Sequence, residues 1–162
     1  MINENKNSTI NIEEIKKQAH ESVTQGAVTK DYPLDLKEAC RLLNNALATE
    51  VVCVLRYRHH QIIAKGIDYI QIAAEFKEHA EQEEQHMMMI AERINQLGGD
   101  PDFSLQSISK NSVTDYGKST DLLGMIKDDL VAERIAIEVY RKMISWFGVE
   151  DSTTRRMLET IL

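Results

Sequence analysis

Two prolines, one tryptophan, three phenylalanines and seven glycines in 162 residues are few tools for building sheets, corners or flexible spacers. Both prolines, Pro33 and Pro101, lie outside the long periodic stretches, so nothing breaks a helical pattern there and an all-α chain is expected. No apolar run approaches the roughly 18 residues that a membrane helix needs. The opening MINENKNSTINIEE lacks the apolar centre of a secretory leader. The two cysteines, Cys40 and Cys53, fall on one predicted helical run about 20 Å apart, too far to pair within it. They read as reduced thiols filling core space in a cytoplasmic protein. Basic charge is in deficit, 19 Lys and Arg against 26 Asp and Glu. The resulting net charge of −7 opposes general binding to a nucleic-acid backbone and suits a protein that attracts cations. The length fits a single domain with a substantial core.

Residues 1–9 have the polar composition of a disordered tail. From about 11 to 25, apolar residues at 12, 15, 19 and 23 predict a short amphipathic helix ending at Gly26, with His20 on its surface. It reads as a packing or subunit-contact arm within an N-terminal extension, 1–34. The second unit, 35–162, starts at Asp35, a helix N-cap signal with Glu38 three residues on. Helical periodicity then runs to Lys65 and stops at Gly66. A second long run covers about 68–97 and stops at Gly98-Gly99, with Pro101 behind it. The segment GGDPDFSLQSISKNSVTDYGK has no helical period, and a loop this long suits a crossover running the length of a helix bundle. Ser119 or Thr120 can cap a third run that stops at Gly148. Asp151 or Ser152 starts a fourth, which reaches Leu162 after about three turns. The expected bundle is lopsided, its fourth helix truncated.

Within the second run, Glu83-Glu84-Gln85-His86 is a Glu-x-x-His spacing. Three steps of about 100° set Glu83 and His86 roughly 60° apart on one face, where a carboxylate and an imidazole can grip one metal ion. Taken alone the motif is weak, because Glu and His are common on solvated helix faces. A concealed repeat strengthens it. Glu50-Val51-Val52-Cys53-Val54-Leu55-Arg56-Tyr57-Arg58 matches Glu133-Arg134-Ile135-Ala136-Ile137-Glu138-Val139-Tyr140-Arg141: Glu, then Tyr seven residues on, then Arg. Each segment runs on to a glycine, Gly66 sixteen residues after Glu50 and Gly148 fifteen after Glu133. In an antiparallel hairpin, residues equidistant from the turn share a height. Glu83 is seventeen residues past Gly66, so Glu50 and Glu83 should face each other within about one helical rise of 1.5 Å. The same offset from Glu133 points to a Glu near 166 and a His near 169, beyond Leu162.

These residues resemble the ferritin-like family, in its bacterioferritin and Dps-like branches, over roughly 35–162. The resemblance implies a ferritin-like four-helix bundle with a long crossover between its second and third helices. Such a bundle binds two irons through one Glu from each of two helices and a Glu-x-x-His from each of the others. Glu50, Glu83, His86 and Glu133 match four of the six expected ligands, and Tyr57 matches a tyrosine beside the bacterioferritin site. By the resemblance, Glu50 and Glu133 are terminal ligands, Glu83 bridges and His86 completes the first iron. Tyr57 supports a ligand carboxylate or carries a transient radical. The implied activity is that of a ferroxidase, oxidising Fe(II) to Fe(III) with O2 or H2O2 and depositing the product inside a homo-oligomeric cage. The N-terminal extension, with no sign of a fifth helix, resembles Dps-like dodecamers more than cages of twenty-four. Glu84 stands where bacterioferritin has its haem-ligating Met, so haem is not expected.

Other residues on this surface have plainer readings. His79 shares a face with Glu83 and His86 and is placed to be an outer iron ligand. Met87-Met88-Met89 reads as packing, and His59 and His60 as solvent-facing or subunit-contact residues. Two further functions compete. A rubrerythrin-like peroxidase or small oxidase keeps the di-iron bundle without storage, although no Cys-x-x-Cys pair for a rubredoxin iron occurs. A structural bundle with an incomplete site is the alternative if the chain ends at Leu162. Membrane association is not expected, and DNA binding is expected to be absent or indirect, given one lysine among the first ten residues.

Overall fold

The computed structural model describes residues 10–24, 28, 32–66 and 69–162; the expectation of a disordered tail at 1–9 lies outside them. Among the described residues there are six α-helices and no strand. They are α1 (Ile12–Ser22), α2 (Leu36–Ile63), α3 (Tyr69–Gln96), α4 (Leu105–Asn111), α5 (Leu122–Phe147) and α6 (Ser152–Ile161).

Local chemistry sets the helix ends. The Asp35 carboxylate accepts from the backbone N–H groups of Lys37 and Glu38 at the start of α2, as its sequence predicts. Glu38 does not complete a capping box; it takes a bidentate pair with Arg41 instead. Asp121 caps α5 through Gly124 N–H in place of the expected Ser119 or Thr120, while Ser119 N–H donates to Asp128 further along the helix. Asp151 caps α6. At the end of α3, Gly98 takes a φ of +76°, and Gly99 N–H returns to the Ile94 carbonyl, the paired closure that a left-handed residue allows.

Helices α2 and α3 form an antiparallel hairpin whose cross-contacts run from His60 and Phe76 at the closed end to Asn44 and Asp100 at the open end. Helices α5 and α6 form the second hairpin. It lies against the first with α5 antiparallel to α2 (Arg56 meets Asp129, Glu50 meets Tyr140) and α6 beside α3 through Arg93 and Thr154.

The expected crossover is present and travels along α2. Asn44 grips the Asp100 carbonyl and Asp102 N–H, Thr49 accepts from Val113 N–H, and Arg56 donates to the Asp115 carbonyl. It is not wholly irregular, as its sequence suggested. Ser104 caps the two-turn helix α4, which buries Ile108. A helix this short, with Ile108 its one buried residue, leaves no period to read.

The apolar core divides into two clusters along the bundle. One gathers Leu43, Leu47, Ile90, Ile94, Met143, Phe147 and Leu158; the other gathers Cys53, Tyr57, Phe76, Ala80 and Met125. Glu50 on α2, Glu83 and His86 on α3, and Glu133 on α5 fall in sequence between the stretches of their helices that feed the two clusters. Apolar layers thus stand above and below the polar groups at mid-bundle, of which Glu50 is buried and Glu83, His86 and Glu133 partly so.

Candidate metal centre

Glu50 is 3% exposed and points into the bundle. Ligand atoms of Glu50, Glu83 and His86 all lie within 4.8 Å of one another. His86 Nδ1 is 3.0 Å from a Glu83 oxygen and 3.8 Å from Glu50 Oε2. Glu50 and Glu83 face each other across the first hairpin, as the spacing predicts, and the His86 ring stands beside both. Glu133 stands outside that group of three but lines the same cavity of about 60 Å³, together with Cys53, Tyr140 and the chain's last two residues, Ile161 and Leu162.

Two tyrosines hold the outer carboxylates. Tyr57 donates its hydroxyl to Glu133 and Tyr140 donates to Glu50. The exchange follows from the antiparallel run of α2 and α5: seven residues on from either Glu stands the Tyr that meets the other. Sequence reasoning named Tyr57 and passed over Tyr140, although the repeat that pairs Glu50 with Glu133 also pairs their tyrosines. Burial, then the partner carboxylate, push both phenols well above their ordinary pKa, so each stays a proton donor. His79, expected on the face of Glu83 and His86, stacks its exposed ring on Tyr57 with centroids 5.1 Å apart.

Charge at the centre is unbalanced. Glu50 Oε2 is buried and receives no hydrogen bond. Burial first, then the facing Glu83 carboxyl, raise the Glu50 pKa well above the ordinary value, while the Tyr140 hydroxyl opposes the rise. For Glu83, burial alone would also raise the pKa. The hydrogen bonds with His86 and with the Glu50 carboxyl outweigh it and leave Glu83 below its ordinary value. The pair is therefore built to share a single proton in the absence of a cation. A buried carboxylate oxygen without a donor, beside a second carboxylate and an imidazole nitrogen, is a donor set that a divalent cation fits.

One expectation for the neighbouring residues changes. His60 is not at the surface: it is 1% exposed, its Nδ1 3.0 Å from Asp129, which also accepts from the buried Arg56. His59 stacks on Tyr116. Cys53 is buried as expected, its thiol pushed up to about 12 by burial, and Cys40 is likewise a free thiol. Of the three methionines, Met87 packs on the core and Met88 is exposed.

The Ferritin-like domain family matches residues 40–162 of this sequence, most of its length. The chain belongs to that family. Its ferritin-like bundle is 27% identical over 129 residues to a nutrient stress-induced DNA-binding protein of Synechococcus sp., covering 77% of this chain and 73% of that one. Among solved structures, the bacterioferritin-related protein of Bacteroides fragilis, a dodecameric thioferritin, matches with a TM-score of 0.76 at 26% identity, over 93% of this chain and 84% of its own. Dps from Thermosynechococcus elongatus shares the fold, with a TM-score of 0.74 at 19% identity over 78% of this chain and 82% of its own. No helix among the described residues is long and apolar enough to cross a membrane.

Proposed function

We propose that this ferritin-like chain takes up Fe(II) as substrate at Glu50, Glu83, His86 and Glu133 and oxidises it to Fe(III), within a homo-oligomeric cage that stores the product. The observation that carries the reading is buried Glu50, whose Oε2 lacks a donor, facing Glu83 and His86 at mid-bundle. Carboxylates with one imidazole suit Fe(II) and its oxidation. With peroxide, two Fe(II) each give up one electron, and two protons are consumed as peroxide becomes two waters.

The protein's own part is charge and position. Glu50 gives up its proton as the cation enters, Glu83 is set between Glu50 and His86 and serves as the bridge, and Glu133 supplies the fourth donor. Tyr57 and Tyr140 orient the outer carboxylates from behind. Substitution of Glu50→Ala together with Glu83→Ala should reduce Fe(II) oxidation, followed by ferric absorbance, to the rate of iron in buffer. A double variant as fast as the native protein would sink the proposal.

Tyr140→Phe tests the supporting group. Without its hydroxyl, Glu50 loses the one donor it has among the described residues and its pKa rises further, since that hydrogen bond lowers it. Cation affinity at neutral pH should fall roughly 10- to 100-fold, with the loss shrinking as pH rises. Calorimetric titration with Zn(II) across a pH series measures this, and an affinity loss that does not depend on pH would contradict it.

Assembly as a dodecamer is favoured by the B. fragilis protein, itself dodecameric, whose match extends over 93% of this chain. The Synechococcus relative is named for DNA binding, whereas the −7 charge here favours protection through iron removal, with any contact to DNA indirect.

A further inference from the structure

We infer that dioxygen is an oxidant of this centre and reaches it through a small pocket between the crossover and α5, whose inner wall the metal cavity shares. The inference rests on the function proposed above and names its second substrate. The pocket has a volume of about 150 Å³ and is lined by Val131, Ala132 and Ile135 of α5 with Thr114, Asp115 and Gly117 of the crossover. Ala132 lines the metal cavity as well. Beside it, Thr114 Oγ1 lies 3.9 Å from the thiol of Cys53, another residue of that cavity. Ala132, Thr114 and Cys53 are all buried. Pocket and cavity thus meet at one alanine and one long sulfur–hydroxyl contact, a weak bond that parts easily. The other end of the pocket reaches water, where Asp115, Lys127 and Val131 are exposed. Ile161 and Leu162, which border the metal cavity, do not line the pocket.

The frame around the pocket is fixed on both sides. Arg56 Nη1 donates to the Asp115 carbonyl at 2.9 Å, which ties the crossover to α2. Ser119 N–H donates to Asp128 at 3.2 Å, which ties it to α5. Between these bonds Gly117 takes a φ of +82°, and a Cβ there would stand 2.9 Å from an Asp128 oxygen. The crossover is therefore held close to α5 without filling the space beneath it.

The lining selects the guest. At the buried end the Thr114 hydroxyl is engaged with Cys53, and the Thr114 N–H and carbonyl are both bonded to the Ser112 hydroxyl. What remains is the hydrocarbon of Ala132 and Ile135. Among the described residues no three metal-ligating side chains converge there, so a cation gains nothing by entering. Hydrogen peroxide would bring two donors and leave them unmatched. Dioxygen is small, neutral and apolar, and has no hydrogen bonds to lose. At the centre it takes one electron from each of two Fe(II) and, with two protons, leaves as hydrogen peroxide.

Xenon, an apolar atom that enters cavities of this kind, is the direct probe. Crystals of the full chain held under xenon pressure should show a xenon atom beside Ala132 and Ile135, and an empty pocket would overturn the inference. Ile135→Trp, or Val131→Trp at a more exposed position should the first fail to fold, fills the pocket without replacing a ligand carboxylate. In stopped-flow Fe(II) oxidation over a series of dioxygen concentrations, the variant should lose roughly tenfold in kcat/KM for dioxygen while its rate at saturation approaches the native one. Anaerobic oxidation by added H2O2, and Zn(II) affinity by calorimetry, should stay within about twofold of native. An unchanged dioxygen dependence, or equal losses with both oxidants, would overturn the inference. A native chain that oxidises Fe(II) with peroxide alone overturns only this inference; one inert with both oxidants overturns the proposed function as well.

Discussion

Glu50→Gln should make the metal-free protein more stable at neutral pH and abolish the additional stabilisation that a divalent cation gives the native chain. The sign follows from the direction of the shift. Burial and the facing Glu83 carboxyl raise Glu50 in the folded state, so the fold prefers the protonated acid. Its contribution is complete below the ordinary carboxylate value and is lost as pH rises through the raised folded value. The metal-free native protein therefore loses stability from this group as pH rises above about 4.5, and a neutral amide removes the loss. Glu83 acts in the opposite sense: its lowered pKa contributes stability above the ordinary value that fades on acidification, and Glu50→Gln leaves most of that in place.

A cation replaces the shared proton, so its stabilising effect should grow with pH over the window in which Glu50 would otherwise have to ionise unaided. At a free concentration 100 times the dissociation constant, binding stabilises by about 2.7 kcal/mol. For a chain of this size that is a rise of roughly 5–10 °C in melting temperature. Scanning calorimetry with Zn(II), which brings no redox chemistry, at a series of pH values reads both effects. A Glu50→Gln protein whose melting temperature responds to Zn(II) like the native one would show that Glu50 does not hold the cation.

Asp129→Ala should cost roughly 3–5 kcal/mol, the penalty for leaving a buried charge unpaired. Arg56 is fully buried, donates from Nε to Asp129 at 2.8 Å, and has no water to turn to when that carboxylate is gone. His60 loses the same partner. At roughly 2–4 °C per kcal/mol, the melting temperature should drop by on the order of 10 °C. Replacing both charges by apolar groups, Arg56→Met with Asp129→Leu, should recover much of the loss, because the cost lies in the orphaned charge. Recovery should be incomplete, since Arg56 also ties the crossover to α2 through the Asp115 carbonyl. Urea denaturation of the single and double variants separates the two effects. A single variant that loses under 1 kcal/mol would mean that water reaches Arg56 more readily than its burial implies.

The centre was legible for a geometric reason. Helical hairpins convert distance from a turn into height, so the glycine at 66 sufficed to align Glu50 with Glu83 before any coordinates. The same arithmetic missed Tyr140 because it counted within each hairpin, whereas Tyr140 reaches Glu50 between hairpins, across the α2–α5 contact. His60 was misplaced for a related reason. Histidine next to histidine near a helix end reads as surface, and only Asp129, 69 residues on, makes its burial tolerable. Helix α4 escaped because two turns that bury Ile108 alone carry no periodicity.

Periodicity, capping residues and glycine stops are local, so the chain's order of residues was enough to set the all-α class, the long helices and the mid-bundle level of Glu50, Glu83, His86 and Glu133. Which carboxylate each tyrosine serves, how Arg56 and His60 share Asp129, and that Glu50 Oε2 is left without a donor depend on how two hairpins meet. Contacts between segments separated by 70 to 90 residues follow from packing, which no local pattern encodes. The carboxylates' positions are thus written in the sequence, while their unmet charge, the property that makes the site receptive to a cation, arises only when the bundle closes around them.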